Sequence, residues 1–184
     1  MPTPQEIRKI RLGNDYKQMS NIQNSGVISW EAVKGTPPYV EEYRVTIRVR
    51  TIVGKRFDDS PVYRDVSVVK VVLPANYPMF HPIVTMESSP FPFHPNWYPG
   101  GVWCHGHWNI GEALGDHVIR MIKTLQFDPS ITNENDAAND GAKQWYIAKK
   151  RSGLFPCDQT RLPDPSASRN NGGEKSEFKI INRR

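Results

Sequence analysis

The sequence contains few cysteines and no long apolar run. Only Cys104 and Cys157 are present among 184 residues, so a disulfide framework is not indicated and free thiols in a reducing compartment are expected. No apolar run reaches the roughly 18 residues of a membrane-spanning helix. The first residues, Met-Pro-Thr-Pro-Gln-Glu, also lack the apolar centre of a signal peptide. These absences predict a cytoplasmic protein without a membrane partner.

The charge balance is moderately basic. The chain has 24 Lys and Arg against 19 Asp and Glu, a formal net charge of +5. Part of the excess lies beyond residue 148, and part lies near the start of the chain at Arg8, Lys9 and Arg11. Basic proteins can bind nucleic acid, but no nucleic-acid-binding motif accompanies this charge. A solvated face, or a docking surface for an acidic protein, fits equally well, so we expect no nucleic-acid partner.

The order of predicted elements indicates one α+β domain. Helical spacing places Leu12, Tyr16 and Met19 on one face of a helix over residues 4–20. Four strands follow, and their short turns predict an antiparallel meander. Their predicted ranges are 27–34, 43–50, 62–73 and 82–87, with the third as the central, most buried strand. An irregular segment and two further helices, at 111–127 and 135–151, complete the domain.

Composition changes after residue 151. Beyond this point the chain is rich in Pro, Ser, Asn, Gly and charged residues, which is typical of irregular structure. We therefore predict a folded domain over residues 1–151 and a basic, mostly irregular tail over residues 152–184. Residues 178–181 are the one part of this tail that could add a strand.

The segment 92–104 is the most distinctive in the chain. Three prolines, two glycines and several aromatic residues exclude a regular helix and do not alternate like a strand. A rigid irregular segment between regular elements is a common place for functional residues. Cys104 ends this segment, with Asn96 and several histidines nearby, and is a candidate nucleophile. A buried cysteine with only a packing role is the plainer alternative.

This segment resembles the active-site signature of the ubiquitin-conjugating enzymes. The resemblance rests on His94-Pro95-Asn96 and on Cys104, which follows the asparagine at the spacing found in that family. Other parts are also similar to the family: residues 11–19 to its first helix, residues 73–82 to its proline-rich connection, and Gly101-Val102-x-Cys104 to the end of its signature. Trp108 is similar to its downstream tryptophan. The resemblance covers residues 5 to 150.

The resemblance implies a specific chemistry and set of partners. Cys104 would accept a ubiquitin-like protein from an activating enzyme as a thioester and pass it to an amine of a protein substrate. A ligase or a dimer partner could take part, and no cofactor or metal is implied. Asn96 would stabilise an oxyanion or hold the active-site loop in shape. His94 would support the loop by a backbone hydrogen bond, and the basic first helix, with Arg8, Lys9 and Arg11, would dock the activating enzyme.

The loop after Cys104 departs from the usual family pattern. Only His105, Gly106 and His107 separate Cys104 from Trp108, and this short loop lacks the acidic residue that commonly lies near the attacking lysine. Its replacement stays open among the nearby polar residues: His105, His107, Glu112, Asp116 and His117. We predict His107 as an acid/base group because imidazole titrates near neutral pH; an ordinary surface histidine is the alternative. The short loop and the tail resemble divergent bacterial members of the family.

Three other functions compete with this interpretation. An inactive relative that only binds ubiquitin-like partners would have the same fold. Zinc could be held by Cys104, His105 and His107 with His94 or His81, although adjacent Cys and His are poorly spaced for joint ligation. A cysteine hydrolase would need a histidine placed to activate Cys104. Cys157 is expected to be a free thiol without a catalytic role.

Overall fold

Residues 1–167 fold into three helices and six strands. The structure is a computed structural model that describes residues 1–167. The elements in chain order are α1 (Pro4–Ile22), β1 (Ile28–Thr36), β2 (Tyr39–Ile47), β3 (Thr51–Lys55), β4 (Pro61–Arg64), β5 (Ser67–Val72), β6 (Ile83–Met86), α2 (Leu114–Leu125) and α3 (Asp140–Lys149). The predicted strand at 178–181 lies outside the described residues. No helix among residues 1–167 is long and apolar enough to cross a membrane.

The first helix begins where the sequence predicts. Thr3 and Glu6 form a reciprocal capping box, and Pro4 occupies the first turn, where its missing N–H costs nothing. The buried face of α1 includes Leu12, Met19 and Ile22. The backbone oxygen of Met19 accepts a hydrogen bond from the Trp30 indole at 2.7 Å, which ties the helix to the sheet.

The sheet is a four-stranded antiparallel meander with the order β1-β2-β5-β6. The predicted α+β class and the order of helix, antiparallel sheet, irregular segment and two helices are confirmed. Alternation sets the register: Tyr43, Val45 and Ile47 of β2 are buried, whereas Arg44 between them is exposed. The strand β5 is central, as predicted, but only alternate residues are fully buried, so one of its faces is only partly covered.

The predicted single strand over residues 62–73 is wrong. The chain turns at the exposed Asp65 and Val66, so that β4 pairs with β3 in a separate hairpin while β5 pairs with β2. The short strand β3 is absent from the predicted elements, since it contains Gly54 and glycine is unfavourable in strands. A valine-rich run shows no change of period at such a break, so pattern alone could not locate it.

The hairpin of β3 and β4 encloses a second, smaller core. Ile52 of β3 is buried there with Phe127, Trp145 and Tyr146. The helix α3 begins later than the predicted residue 135, because the side chain of Asn133 accepts backbone hydrogen bonds from the following turn. Asn139 then caps the helix by accepting from the Ala142 N–H at 3.0 Å.

Residues 152–167 contain no helix or strand and pack onto the domain. Phe155 stacks on Phe127 with ring centroids 5.1 Å apart. The Asp158 carboxylate accepts from the backbone N–H of Arg50 at 2.8 Å, and the backbone oxygen of Pro165 accepts from the Asn21 side chain at 2.7 Å. The chain after α3 therefore extends the core as far as residue 167. The predicted boundary at residue 151 stays a prediction.

Candidate active site around Cys104

The segment before Cys104 folds back on itself as a short, irregular hairpin. Cys104 donates its backbone N–H to the oxygen of Asn96 at 2.8 Å, and Tyr98 donates to Val102 at 2.9 Å. Gly101 makes the turn with a φ of +86°, a value that favours glycine, and a Cβ there would lie 2.7 Å from the Phe91 ring. This hairpin, residues 96–104, also bonds to β6 through the Met86 N–H and the Gly101 oxygen at 2.7 Å.

Two tryptophans fix which face of the hairpin is presented. Trp97 and Trp103 form a β-bridge and are 0% and 4% exposed. The Trp97 indole donates to the Thr124 hydroxyl of α2 at 2.9 Å. Because side chains alternate along extended chain, Asn96, Tyr98 and Cys104 lie on the opposite face. Cys104 itself is half-buried with a free thiol.

Asn96 connects the hairpin to the loop between α2 and α3. Its amide nitrogen donates to the oxygen of Ile131 at 2.9 Å, and its amide oxygen accepts from the N–H of Asn133, also at 2.9 Å. The neighbouring Pro95 oxygen accepts from the N–H of Ala138 at 2.8 Å. Both ends of the Asn96 amide are therefore engaged in holding this loop beside Cys104.

His94 is fully buried and lies behind the hairpin. Its Nδ1 accepts the backbone N–H of Asn96 at 2.9 Å, so its proton is on Nε2, and the ring packs edge-on against Phe127 at 4.2 Å. Burial lowers the pKa of His94 to about 3. The ring is therefore neutral across the physiological range, and its hydrogen bond fixes the backbone of Asn96.

Cys104 opens into a cavity of about 220 Å³. The cavity is lined by three parts of the chain: the hairpin and the two residues after it, the helix α2, and the loop between α2 and α3. Its polar lining consists of Asn96, Cys104, His105, Arg120, Asn133 and Asp136. The arrangement places a thiol, an amide, a carboxylate and a guanidinium around one space.

Arg120 is fixed in this cavity by several acceptors. Its Nε and Nη2 donate to the two carboxylate oxygens of Glu112 at 2.9 and 3.0 Å, and its Nη1 donates to the oxygen of His105 at 2.6 Å. The guanidinium also lies 5.1 Å above the Trp103 ring. Burial would raise the pKa of Glu112, but hydrogen bonds from His117 and Arg120 lower it to about 2. The carboxylate is therefore ionised at neutral pH.

The two histidines after Cys104 lie in different environments. His105 lines the cavity, and its ring is 4.3 Å from that of His81. Burial, followed by the charges of His81 and His117, lowers the pKa of His105 to about 4. His107 is exposed and is not among the cavity-lining residues. The structure thus brings His105 to Cys104, and the acid/base role of His107 stays a prediction.

The basic residues of α1 differ in their exposure. Arg8 pairs with Glu41 at 3.1 Å, and Arg11 pairs with the buried Asp15 at 2.9 Å. Lys9 is exposed, with its ammonium 4.8 Å above the Tyr39 ring. Arg8 and Arg11 therefore have structural partners inside the domain, whereas Lys9 faces solvent. Their predicted part in docking an activating enzyme stays a prediction.

Sequence reasoning missed four polar residues in or next to this site: Tyr98, Arg120, Asn133 and Asp136. Tyr98 lies two residues from Asn96, so alternation along the hairpin could have revealed it. Arg120, Asn133 and Asp136 come from later parts of the chain, and no local pattern links them to Cys104. Among residues 1–167, no group of three or more His, Cys, Asp or Glu side chains is placed to hold a metal ion.

Comparison with known proteins was made by sequence and by structure. No family model and no curated protein matches the chain. Among solved structures, the chain is similar to human ubiquitin-conjugating enzyme E2 G1, with 16% sequence identity and a TM-score of 0.48. The match covers 68% of this chain and 98% of that chain.

Proposed function

We propose that this chain is a ubiquitin-conjugating-type enzyme that carries a ubiquitin-like protein as a thioester on Cys104. The observation that carries the proposal is the half-buried, free Cys104 in a cavity that it shares with Asn96 and Asp136. The motif His94-Pro95-Asn96 with the spaced Cys104 supports the same function through its resemblance to that family. The partners are a ubiquitin-like modifier, an activating enzyme and a protein substrate.

The proposed reaction has two acyl transfers. In the first, the Cys104 thiolate attacks the thioester carbon on the activating enzyme, and a new carbon–sulfur bond replaces the old one as the enzyme's thiolate leaves. In the second, an amine of the target attacks the same carbon. A carbon–nitrogen bond forms, the Cys104 thiolate leaves and the amine loses a proton. No cofactor is consumed in either transfer.

Asp136 is the proposed acidic residue of the site. Its carboxylate lines the Cys104 cavity, and the Asn133 side chain bonds to the backbone N–H of Asp136 at 3.0 Å. Since an anionic group attracts an approaching ammonium, Asp136 would orient the acceptor amine toward the thioester. In this proposal Asp136 takes the place of the acidic residue that the short loop after Cys104 lacks.

Asn96 and His94 are proposed to keep the site in shape. The Asn96 amide bridges Ile131 and Asn133, and the His94 ring fixes the Asn96 backbone. Together these bonds hold the loop that carries Asp136 against the hairpin that carries Cys104. We assign docking of the activating enzyme to the exposed part of α1, where Lys9 and Ile7 face solvent.

The test is a non-reducing gel of the protein with its activating enzyme, ATP and ubiquitin-like modifier. The short loop after Cys104 resembles divergent bacterial members of the family, so the activating enzyme and modifier encoded with the protein are the first candidates. We expect an adduct that thiols reduce, that survives Cys157→Ser and that becomes resistant to reduction or disappears with Cys104→Ser. If a folded protein gave no adduct with a verified activating enzyme, a binding module without catalysis would replace this proposal.

A further inference from the structure

Tyr98 shares one face of the hairpin with Asn96 and Cys104. The bridge between Trp97 and Trp103 turns those two side chains into the core. Tyr98 pairs with Val102 one step further toward the turn, through a backbone hydrogen bond of 2.9 Å. Alternation therefore points the Tyr98 ring to the outer face, where the side chain is 46% exposed.

Tyr98 and Cys104 share a face of the hairpin and lie close enough for Cys104 to affect the pKa of Tyr98. The pKa of Tyr98 is raised above its ordinary value. The largest causes are the charge of Cys104 and hydrogen bonding with it, followed by partial burial and the charge of Asp136. The phenol consequently keeps its proton at neutral pH. It is a hydrogen-bond donor on the face of the hairpin that carries Cys104.

Asn96 is less free to act as such a donor. Its amide nitrogen is bonded to the Ile131 oxygen, and its amide oxygen is bonded to the Asn133 N–H. Turning the amide toward a reacting group at Cys104 would break these two bonds, and a buried polar group left without a partner costs about 1–3 kcal/mol. Tyr98 is 46% exposed on the same face as Cys104, so its hydroxyl can turn toward a reacting group without breaking such bonds.

Acyl transfer from a cysteine thioester passes through a tetrahedral intermediate with a negatively charged oxygen. A donor fixed near that oxygen accelerates the reaction because the charge develops only in the transition state. We propose that the Tyr98 hydroxyl donates this hydrogen bond to the oxyanion on the Cys104-bound carbon. This proposal rests on the proposed function, because it requires an acyl group on Cys104.

The bonding changes in this step balance without proton transfer from Tyr98. The amine nitrogen attacks the carbonyl carbon, and the electron pair of the C=O bond moves to the oxygen, which accepts the Tyr98 hydrogen bond. When the C=O bond re-forms, the carbon–sulfur bond breaks and the Cys104 thiolate leaves. The amine proton passes to solvent, and Tyr98 remains a phenol throughout.

The test can be made without knowing the modifier. S-phenyl thioacetate would transfer an acetyl group to Cys104 of a Cys157→Ser protein, and mass spectrometry would follow its transfer to free lysine. We expect Tyr98→Phe, which removes only the hydroxyl, to slow this transfer about 100-fold, as loss of one oxyanion donor does in other enzymes. Tyr63→Phe, at a partly exposed tyrosine in β4, is the matched control and should transfer at the wild-type rate.

The dependence on lysine concentration separates this role from binding of the acceptor. Loss of an oxyanion donor lowers the rate at saturating lysine and leaves the half-saturating concentration unchanged. A wild-type rate for Tyr98→Phe, or a change only in the half-saturating concentration, would overturn the inference. The inference would also be overturned if the acetylated wild-type protein transferred its acetyl group to lysine no faster than S-acetylglutathione does. The gel assay with the activating enzyme tests the proposed function separately. Failure of the Tyr98 proposal can therefore be distinguished from failure of the proposed function.

Discussion

Glu112 and Arg120 form a two-point ion pair at the edge of the cavity that Cys104 opens into. The two carboxylate oxygens of Glu112 accept from Arg120 at 2.9 and 3.0 Å, and the same guanidinium donates to the oxygen of His105, the residue that follows Cys104. Glu112 is also bonded through its backbone oxygen to Arg11 of α1. The pair therefore links α1, α2 and the short loop after Cys104.

Glu112→Gln should destabilise the protein by about 1–3 kcal/mol. The neutral amide leaves the part-buried Arg120 without its anionic partner, and hydrogen bonds to charged groups are worth about that much. Urea unfolding monitored by tryptophan fluorescence would measure the change. Glu87→Gln is the matched control, because Glu87 pairs with Arg44 on the exposed sheet face and should cost less than about 1 kcal/mol. Equal losses in the free energy of unfolding for the two variants would refute the structural role given to Glu112.

Thr124→Val should also destabilise the fold, through the anchor of the hairpin. The Thr124 hydroxyl accepts the Trp97 indole N–H at 2.9 Å, in the core. Valine keeps the shape and leaves that N–H without an acceptor, which costs about 1–3 kcal/mol. Thr46→Val, at a partly exposed position of β2, should change stability by less than about 0.5 kcal/mol. Thermal unfolding of both variants would reveal whether Trp97 depends on this bond.

The sequence predicts the main elements of the fold but not the division of the region from 51 to 72. The face of α1 that carries Leu12 and Met19 follows the helical period, and β2 alternates between buried and exposed residues, so both were predictable. The break between β4 and β5 was not, because valine is common on both sides of it. Strand pairing between distant segments decides where that run divides.

The candidate site was predictable only where its residues are close in sequence. His94, Asn96 and Cys104 lie in one segment, and the structure brings them together. Asp136 lines the same cavity as Cys104 because the Asn96 amide bonds to the loop at Ile131 and Asn133. Those partners are backbone groups, which every residue carries, so the side-chain sequence gives no signal for them.

Buried histidines should make the protein unstable toward acid. Burial lowers the pKa of His94 to about 3 and that of the part-buried His105 to about 4, whereas the pKa of a histidine in the unfolded chain is about 6.5. Between these limits the unfolded state binds more protons, so stability is complete above about pH 6.5 and falls as the pH drops toward 4. Urea unfolding at a series of pH values would measure this slope.

Substitution of His94 can show whether this residue causes the loss of stability at low pH. His94→Gln removes the group that resists protonation and should flatten the decline between pH 6.5 and 4, although it lowers stability at neutral pH by loss of the bond to the Asn96 N–H. His107→Gln, at an exposed histidine, should leave the profile as in the wild type. A profile that His94→Gln does not flatten would place the acid sensitivity in other groups.

Asp136→Asn should slow acyl transfer to lysine more than transfer to a neutral amine. The Asp136 carboxylate lines the cavity of Cys104 and would attract the ammonium of lysine, whereas hydroxylamine is uncharged at neutral pH and gains little from it. A loss of about tenfold with lysine corresponds to about 1.4 kcal/mol of transition-state stabilisation. The acetyl-Cys104 protein, assayed with each acceptor in turn, gives both rates.

The neighbouring Glu134 provides the control for this experiment. Glu134 lies in the same loop, but its carboxylate pairs with Lys150 at 2.9 Å and does not line the cavity. Glu134→Gln removes the same charge from the same loop, so it should leave both rates near those of the wild type. Equal slowing by the two variants would mean that the loop's overall charge matters. Equal slowing of lysine and hydroxylamine by Asp136→Asn would mean that Asp136 shapes the site without attracting the ammonium. Only a loss confined to lysine and to Asp136 supports a specific contact with the acceptor.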